Sequence, residues 1–138
     1  MDTEKFCATH NITLDYEMTD HNPNMGDPNW PAHHYKVTLK RDKTIEGERV
    51  RRQLTTYFSM GYGISHEPYA HDVIDCLASD AAGWHNARDF NDWCGDYGYD
   101  TDSIRALRTY ETLQKQAKHL QRFMGDLYDD LLWNTERL

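Results

Sequence analysis

From Ile12 to Met18, apolar side chains at Ile12, Leu14, Tyr16 and Met18 alternate with Thr13, Asp15 and Glu17, the two-residue period of a half-buried strand. The same period returns at Tyr35, Val37 and Leu39, interleaved with Lys36, Thr38 and Lys40, and again at Leu54, Thr56, Phe58 and Met60. A polar stretch, 41–52, containing Gly47, separates these two runs, so the spacing predicts an antiparallel hairpin with a charged connection. Its basic residues suit either contact with nucleic acid or a solvated edge that resists sheet-to-sheet association. Residues 19–32 hold three of the four prolines among several Asn and Asp, which predicts a long loop. Trp30 in that loop is read as pinned to the protein's own core, or as an anchor for a partner.

After Met60 the GYG run at 61–63 closes the sheet, and Pro68 suits a first helical turn. Tyr69, Val73, Ile74, Leu77 and Ala81 then fall on one helical face, with Asp72 and Asp75 on another and Gly83 as the expected terminator. Asn86, with Asp89 three residues on, is the expected cap of a short helix. Its inner stripe is Phe90, Trp93, Cys94 and Tyr97, and its outer stripe is Asp89, Asp92 and Asp96. Asp102 is the expected cap of the longest helix, whose apolar face Ile104, Leu107, Tyr110, Leu113, Ala117, Leu120 and Met124 runs to Gly125. Leu127, Leu131 and Leu132 mark a terminal helix. Strands precede helices instead of alternating with them, so the expected class is α+β, a small three-stranded antiparallel sheet followed by a layer of three to four helices. The 138 residues fit a single domain, with an N-terminal strand and proline-rich loop (1–34) leading into the hairpin and helical layer (35–138).

Charge placement adds what periodicity leaves out. Between residues 65 and 102 lie nine acidic side chains, Glu67, Asp72, Asp75, Asp80, Asp89, Asp92, Asp96, Asp100 and Asp102, against the single Arg88, so this segment alone matches the chain's net charge of -8. The same segment contains Trp84, Phe90, Trp93, Tyr97 and Tyr99, which marks a folded acidic surface and not a disordered acidic tail. Such a surface repels phosphate backbones and anionic lipid and attracts the basic proteins that normally bind them. Three widely spaced cysteines, Cys7, Cys76 and Cys94, point to a reducing compartment, and no run reaches the length of a membrane span, so a cytoplasmic protein is expected.

The chemistry of known motifs is thin. GYG has neither the spacing nor the Lys, Ser or Thr of a phosphate cradle, and the DYGYDTDS segment lacks the central Gly and terminal Glu of a calcium loop. His66, His71 and Asp75 could converge on a metal, but Cys7, Cys76 and Cys94 form no closely spaced pair of the kind a zinc site uses, so neither metal nor cofactor is expected. Cys94 has almost no cationic neighbour to activate it and reads as a small core residue.

From about Tyr35 to Gly125, and most specifically in DVIDCLASDA followed by FNDWCGDYGYDTDS, the chain resembles small uncharacterised proteins of bacteriophages and prophages. These are similar in kind to anti-CRISPR and anti-restriction inhibitors, some of which imitate DNA with rows of carboxylates. The resemblance implies an inhibitor that acts in the bacterial cytoplasm on a basic nucleic-acid-handling host complex, a CRISPR effector among them, without touching nucleic acid or membrane. Candidate contact residues are Asp72, Asp75, Asp80, Asp89, Asp92, Asp96 and Asp100, with Trp84, Tyr97 and Tyr99 as aromatic anchors. Two other functions fit the residues. One is a phage assembly or adaptor protein pairing through Tyr110, Leu113, Leu120 and Phe123 of the long helix. The other is a small metal-dependent enzyme using His66, His71 and Asp75. Monomer and homodimer are both compatible with the sequence.

Overall fold

The computed structural model describes residues 3–21, 32–64 and 66–133, so Trp30 and most of the proline-rich loop lie outside the described residues. The elements are α1 (Thr3–Thr9), β1 (Thr13–Met18), β2 (Ala32–Ile45), β3 (Glu48–Gly61), α2 (Ala70–Asn86), α3 (Phe90–Tyr97), α4 (Ile104–Met124), a 3-10 turn (Gly125–Leu127) and α5 (Tyr128–Trp133). The strands form one antiparallel sheet in the order β1-β2-β3, and the class is α+β as expected. Among the described residues no helix is long and apolar enough to cross a membrane.

The alternation along β2 does what a period of two requires. Tyr35, Val37 and Leu39 are buried against the helices, while Lys36, Thr38 and Lys40 face away. Cross-strand partners continue the inner face, with Leu14 and Leu54 flanking Leu39 and Tyr16 and Thr56 flanking Val37. Val73, Ile74, Leu77 and Ala81 of α2, and Ala117, Leu120, Phe123 and Met124 of α4, close the main core over it. Phe6 and Cys7 of α1 belong to the same core, although this helix is too short to show periodicity in the sequence. Its end is legible, because Asn11 (φ 54) accepts the left-handed conformation that stops a helix and lets the Ile12 amide reach the Cys7 carbonyl at 3.0 Å.

The hairpin differs from expectation. Residues 41–52 are not a connection: both strands run fourteen residues and meet at Glu46 (φ 51) and Gly47 (φ 82). Two positive φ values in a row give the turn whose twist matches the strands it joins. The charged residues therefore sit opposite one another in the ladder, Arg41 facing Arg52 and Asp42 facing Arg51. Two arginines side by side on the inner face would repel, but both point at the C-terminal end of α4. Arg41, 6% exposed, donates to the carbonyls of Phe123 (3.1 Å) and Met124 (2.7 Å), and Arg52 donates to that of Arg122 (2.6 Å). The Gly125 amide takes the Gln121 carbonyl, so each of the last four carbonyls of the helix has a donor. Burial holds the Arg41 guanidinium below its ordinary value, Asp126 opposes that and Arg52 adds to it. Lys43 completes the clamp by pairing with Asp126 at 3.2 Å. At Arg41 and Arg52 the basic hairpin is thus not a solvated edge.

Helix boundaries bring further corrections. α2 continues through Gly83 to Asn86, and the Tyr97 hydroxyl lies where a Cβ at Gly83 would sit. The cap of α3 is Asp89 and not Asn86, and the cap of α4 is Ser103 and not Asp102. Ile104 and Leu107 are exposed, since the inward positions at the start of α4 fall on Ala106 and Tyr110, and a small alanine is easily overlooked as a core residue. Tyr69 precedes α2 as its cap residue and is exposed.

Candidate functional site

The acidic segment folds into α2, α3 and the turn into α4, and α3 is held by its own small core. Trp93, Cys94 and Ala106 are buried there, with Phe90, Tyr99, Tyr110 and Leu113 around them. Gly98, at φ 73, ends α3 in the left-handed region and returns the chain so that the Tyr99 amide meets the Cys94 carbonyl at 2.9 Å. That turn lays Tyr99 parallel to Trp93, centroids 5.0 Å apart and planes 9° apart, while Tyr110 meets the indole edge-on at 5.4 Å. Asp100 then accepts the Asp102 amide at 3.0 Å, and the Ser103 hydroxyl accepts the Ala106 amide at 3.2 Å to start α4. The DYGYDTDS segment is therefore a corner built of a left-handed stop, an Asx turn and a helix cap.

The predicted contact residues divide once placed. Asp72 accepts the Tyr69 amide at 3.2 Å in the first turn of α2, and Asp89 accepts the Asp92 amide at 2.9 Å as the cap of α3. Asp92 turns back to the Arg88 amide at 2.9 Å, which holds its carboxyl below the ordinary value, and it pairs with the Arg88 guanidinium at 3.6 Å. Asp80 is half-buried, and desolvation raises its carboxyl above the ordinary value. Asp75 is exposed and accepts the Thr3 hydroxyl. Asp96, Asp100 and Asp102 are exposed at the corner, although Asp100 also serves the turn. Asp89, Asp92 and Asp96 thus do not form the uniform outer stripe expected of them.

The aromatic candidates divide in the same way. Trp84 is half-buried against the main core and meets His85 edge-on, and Trp93 is interior. Tyr99 is stacked on Trp93 and half-buried. Tyr97 is the exposed one, at 52%, with its ring 5.4 Å from Trp93 and its hydroxyl end over Gly83. Tyr97, expected on the inner stripe of α3, is therefore exposed and not part of its core.

Other chemistry is sparse. Among the described residues no group of three His, Cys, Asp or Glu is placed to hold a metal ion. The rings of His66 and His71 stack on Tyr69, with centroids 4.5 and 5.3 Å from it. Burial, with help from Asp75, pushes the Cys7 thiol up to about 12. Cys76 lies on an exposed stretch of α2, yet desolvation of its sulfur, with Asp80 and Asp75 adding to it, pushes that thiol up to about 11. Both thiols stay protonated and poorly nucleophilic near neutral pH. Leu120 and Phe123, through which the long helix would pair with another chain, lie in the main core, and Tyr110 and Leu113 pack on the small one. On the sheet face turned away from the helices, a shallow depression of about 330 Å³ is lined by Asp15, Tyr16, Glu17, Lys36, Thr38 and Thr55. Lys40 pairs with Asp15 at its rim.

What stands at the corner is an exposed aromatic ring, Tyr97, near the unburied carboxylates of Asp96, Asp100 and Asp102. Compared with known proteins, the chain matches no family model, no curated protein and no solved structure.

Proposed function

We propose that the protein is a phage-borne inhibitor that binds a basic nucleic-acid-handling complex of the bacterial host, a CRISPR effector being the leading class, and obstructs its cationic groove with the acidic corner. The observation that carries the reading is the exposure of Asp96, Asp100 and Asp102 on the same corner as the exposed Tyr97. Carboxylates held on a helix and its following turn can replace phosphates as partners for Lys and Arg. A rim pair contributes only about 0–1 kcal/mol, so the affinity would centre on a ring desolvated by the partner, and Tyr97 is the ring in position. The phage origin and the defence target rest on the sequence resemblance, and the acidic surface supports only a basic partner.

The test uses Asp96→Asn combined with Asp102→Asn, because neither carboxylate caps a helix and both changes leave the corner's turn intact. Immobilised wild type is exposed to nuclease-treated bacterial lysate, and bound proteins are released first with duplex DNA and then with salt. The expected result is release of nucleic-acid-binding proteins by DNA, with much weaker capture by the double variant. Equal capture by both forms, or retention indifferent to DNA, would sink the reading.

A further inference from the structure

The outer face of α4 carries the opposite charge from the corner that precedes it. Arg108, Lys115 and Arg122 recur every seven residues, which places them along one side of the helix roughly 10 Å apart. That side lies opposite the one that Ala117, Leu120 and Met124 close over the main core. Arg105 and Lys118 flank the row, and all five cations are exposed. Glu111 is the one acidic residue of the helix, so in a chain of net charge -8 this element alone is +4.

The stability of the fold does not account for the row. Among the described residues none of the five cations makes an ion pair, although the chain carries 23 acidic residues. Arg41, Lys43, Arg51 and Arg88, by contrast, all have a carboxylate partner. The helix macrodipole favours cations in the last turn only. It suits Arg122, opposes Arg105 in the first turn, where no acidic residue offsets it, and does not reach the three between them.

The chemistry of the row selects its ligand. From Arg108 to Arg122 no exposed residue is apolar. Protein interfaces centre on a desolvated aromatic or aliphatic anchor with charge at the rim, and this face has no such anchor. A membrane-surface helix inserts an apolar face, and that of α4 is covered by its own core. Single-stranded nucleic acid is held by stacking on rings, and no Phe, Tyr or Trp is exposed here. A row of unpaired cations on a straight helix is the complement of a duplex phosphate backbone, whose interfaces are polar and strongly positive.

We infer that the outer face of α4 binds duplex nucleic acid through its phosphates, with Arg105, Arg108, Lys115, Lys118 and Arg122 as the contacting groups. Binding is independent of base sequence, since phosphate contacts carry none. The acidic corner repels the same ligand from the N-terminal end of the helix, so the affinity is low and falls steeply with salt. The row shares no residue with the proposed inhibitor surface, and either reading can fail while the other stands.

Fluorescence anisotropy of two labelled duplexes of mixed sequence, one DNA and one RNA, is measured against the full chain between about 50 and 200 mM salt. Five phosphate contacts predict a slope of log K against log salt of about -4.5, a loss of roughly 500-fold across that range. Arg108→Gln, Lys115→Gln and Arg122→Gln combined puts good helix formers on an exposed face, so circular dichroism should show the fold retained. This variant is expected to reduce the slope to about -1.8 and to bind at least roughly 10-fold more weakly at the low-salt end. Glu111→Gln removes no cation and is expected to tighten binding with the slope unchanged. Equal affinity for the two duplexes supports readout of charge alone, and a preference for one supports the same surface and names the nucleic acid that suits it. No binding at about 50 mM salt with the chain at about 100 µM overturns the inference. Binding that the triple variant retains overturns it too, as does stronger binding to polyglutamate than to either duplex at matched charge.

Discussion

Two ends of helices, solved in opposite ways, set the Arg41 clamp apart from the acidic corner. At the corner the caps are local: Asp89 reaches the Asp92 amide, Asp100 the Asp102 amide and Ser103 the Ala106 amide, each within three residues. At the clamp the donors come from far away in the chain, with Arg41 and Arg52 in the hairpin serving the carbonyls of Arg122, Phe123 and Met124. Local capping leaves the corner's remaining carboxylates exposed, whereas the clamp draws its arginines inward and ties the sheet to α4. Formal charge is therefore a poor guide to the field a partner meets. The basic hairpin offers less positive charge than its composition, and the acidic region offers fewer free carboxylates than its count.

The largest effect should separate the two cores. Trp93→Ala removes the ring on which Tyr99, Phe90 and Tyr110 gather and is expected to cost about 3–5 kcal/mol of local stability. Hydrogen exchange should show α3 and the turn after it opening while the sheet amides stay protected. Uniform loss of protection would show that the corner is not a separable unit. Arg41→Met comes next, because it leaves two buried carbonyls without donors. It should lower stability by about 2–4 kcal/mol in urea unfolding, with the sheet and α4 failing together. A loss confined to the end of α4 would break the comparison. Asp89→Ala removes a single cap and should cost about 1 kcal/mol, while Asp89→Ser should recover most of it.

These differences track what was legible in the sequence. Period-two runs at Tyr35–Leu39 and Leu54–Met60 were legible because one face of each strand packs on a core, and so were the α+β order and the apolar stripes of α2 and α3, whereas in β1 only Leu14 packs inward and Tyr16 and Met18 are exposed. The true length of the hairpin was not, because beyond Leu39 the strands carry charged residues on both faces, the inward ones including Arg41, Lys43 and Arg52, and an inward arginine looks like a loop residue until its helix is seen. Gly83 read as a stop because its reason for lacking a side chain is Tyr97, fourteen residues later in a different helix. At the corner, the acidic residue types were visible, but which carboxylate caps and which faces solvent depends on where α3 begins. An error in that boundary reassigns Asp89 and Asp92 together.

Acid provides a finer comparison. Asp92, held below 3.8 by the Arg88 amide, and Asp126, held below it by Lys43, stabilise the folded protein above their unfolded value. That stabilisation is lost as pH falls through their depressed folded values, so acid weakens the corner and the clamp together. Asp80 runs the other way. Desolvation puts its folded value above 3.8, so the folded protein takes up this proton first, and the charged group lowers stability at neutral pH. Asp80→Asn should raise Tm at pH 7, a gain that shrinks as pH falls through the raised value and vanishes below the unfolded one. A variant no more stable than wild type at pH 7 would mean that Asp80 is solvated in solution.

The smallest predicted effect bears on the exposed ring that the proposed function uses. A Cβ added at Gly83 would collide with the Tyr97 hydroxyl, while elsewhere the position accepts a helical side chain. Alanine favours a helix interior over glycine by up to about 1 kcal/mol, and the obstacle is the free end of a side chain that is 52% exposed. Tyr97 can therefore swing away from α2 at little cost. Gly83→Ala should leave the protein as stable as wild type or slightly more so, with a changed near-ultraviolet signal from the displaced tyrosine beside Trp93. If Gly83 is there to seat Tyr97, the variant keeps its stability and loses partner affinity, a separation that neither Trp93→Ala nor Asp89→Ala can give. A variant destabilised by more than about 1 kcal/mol would instead show that Tyr97 is fixed by packing, and would make Gly83 part of the corner's core.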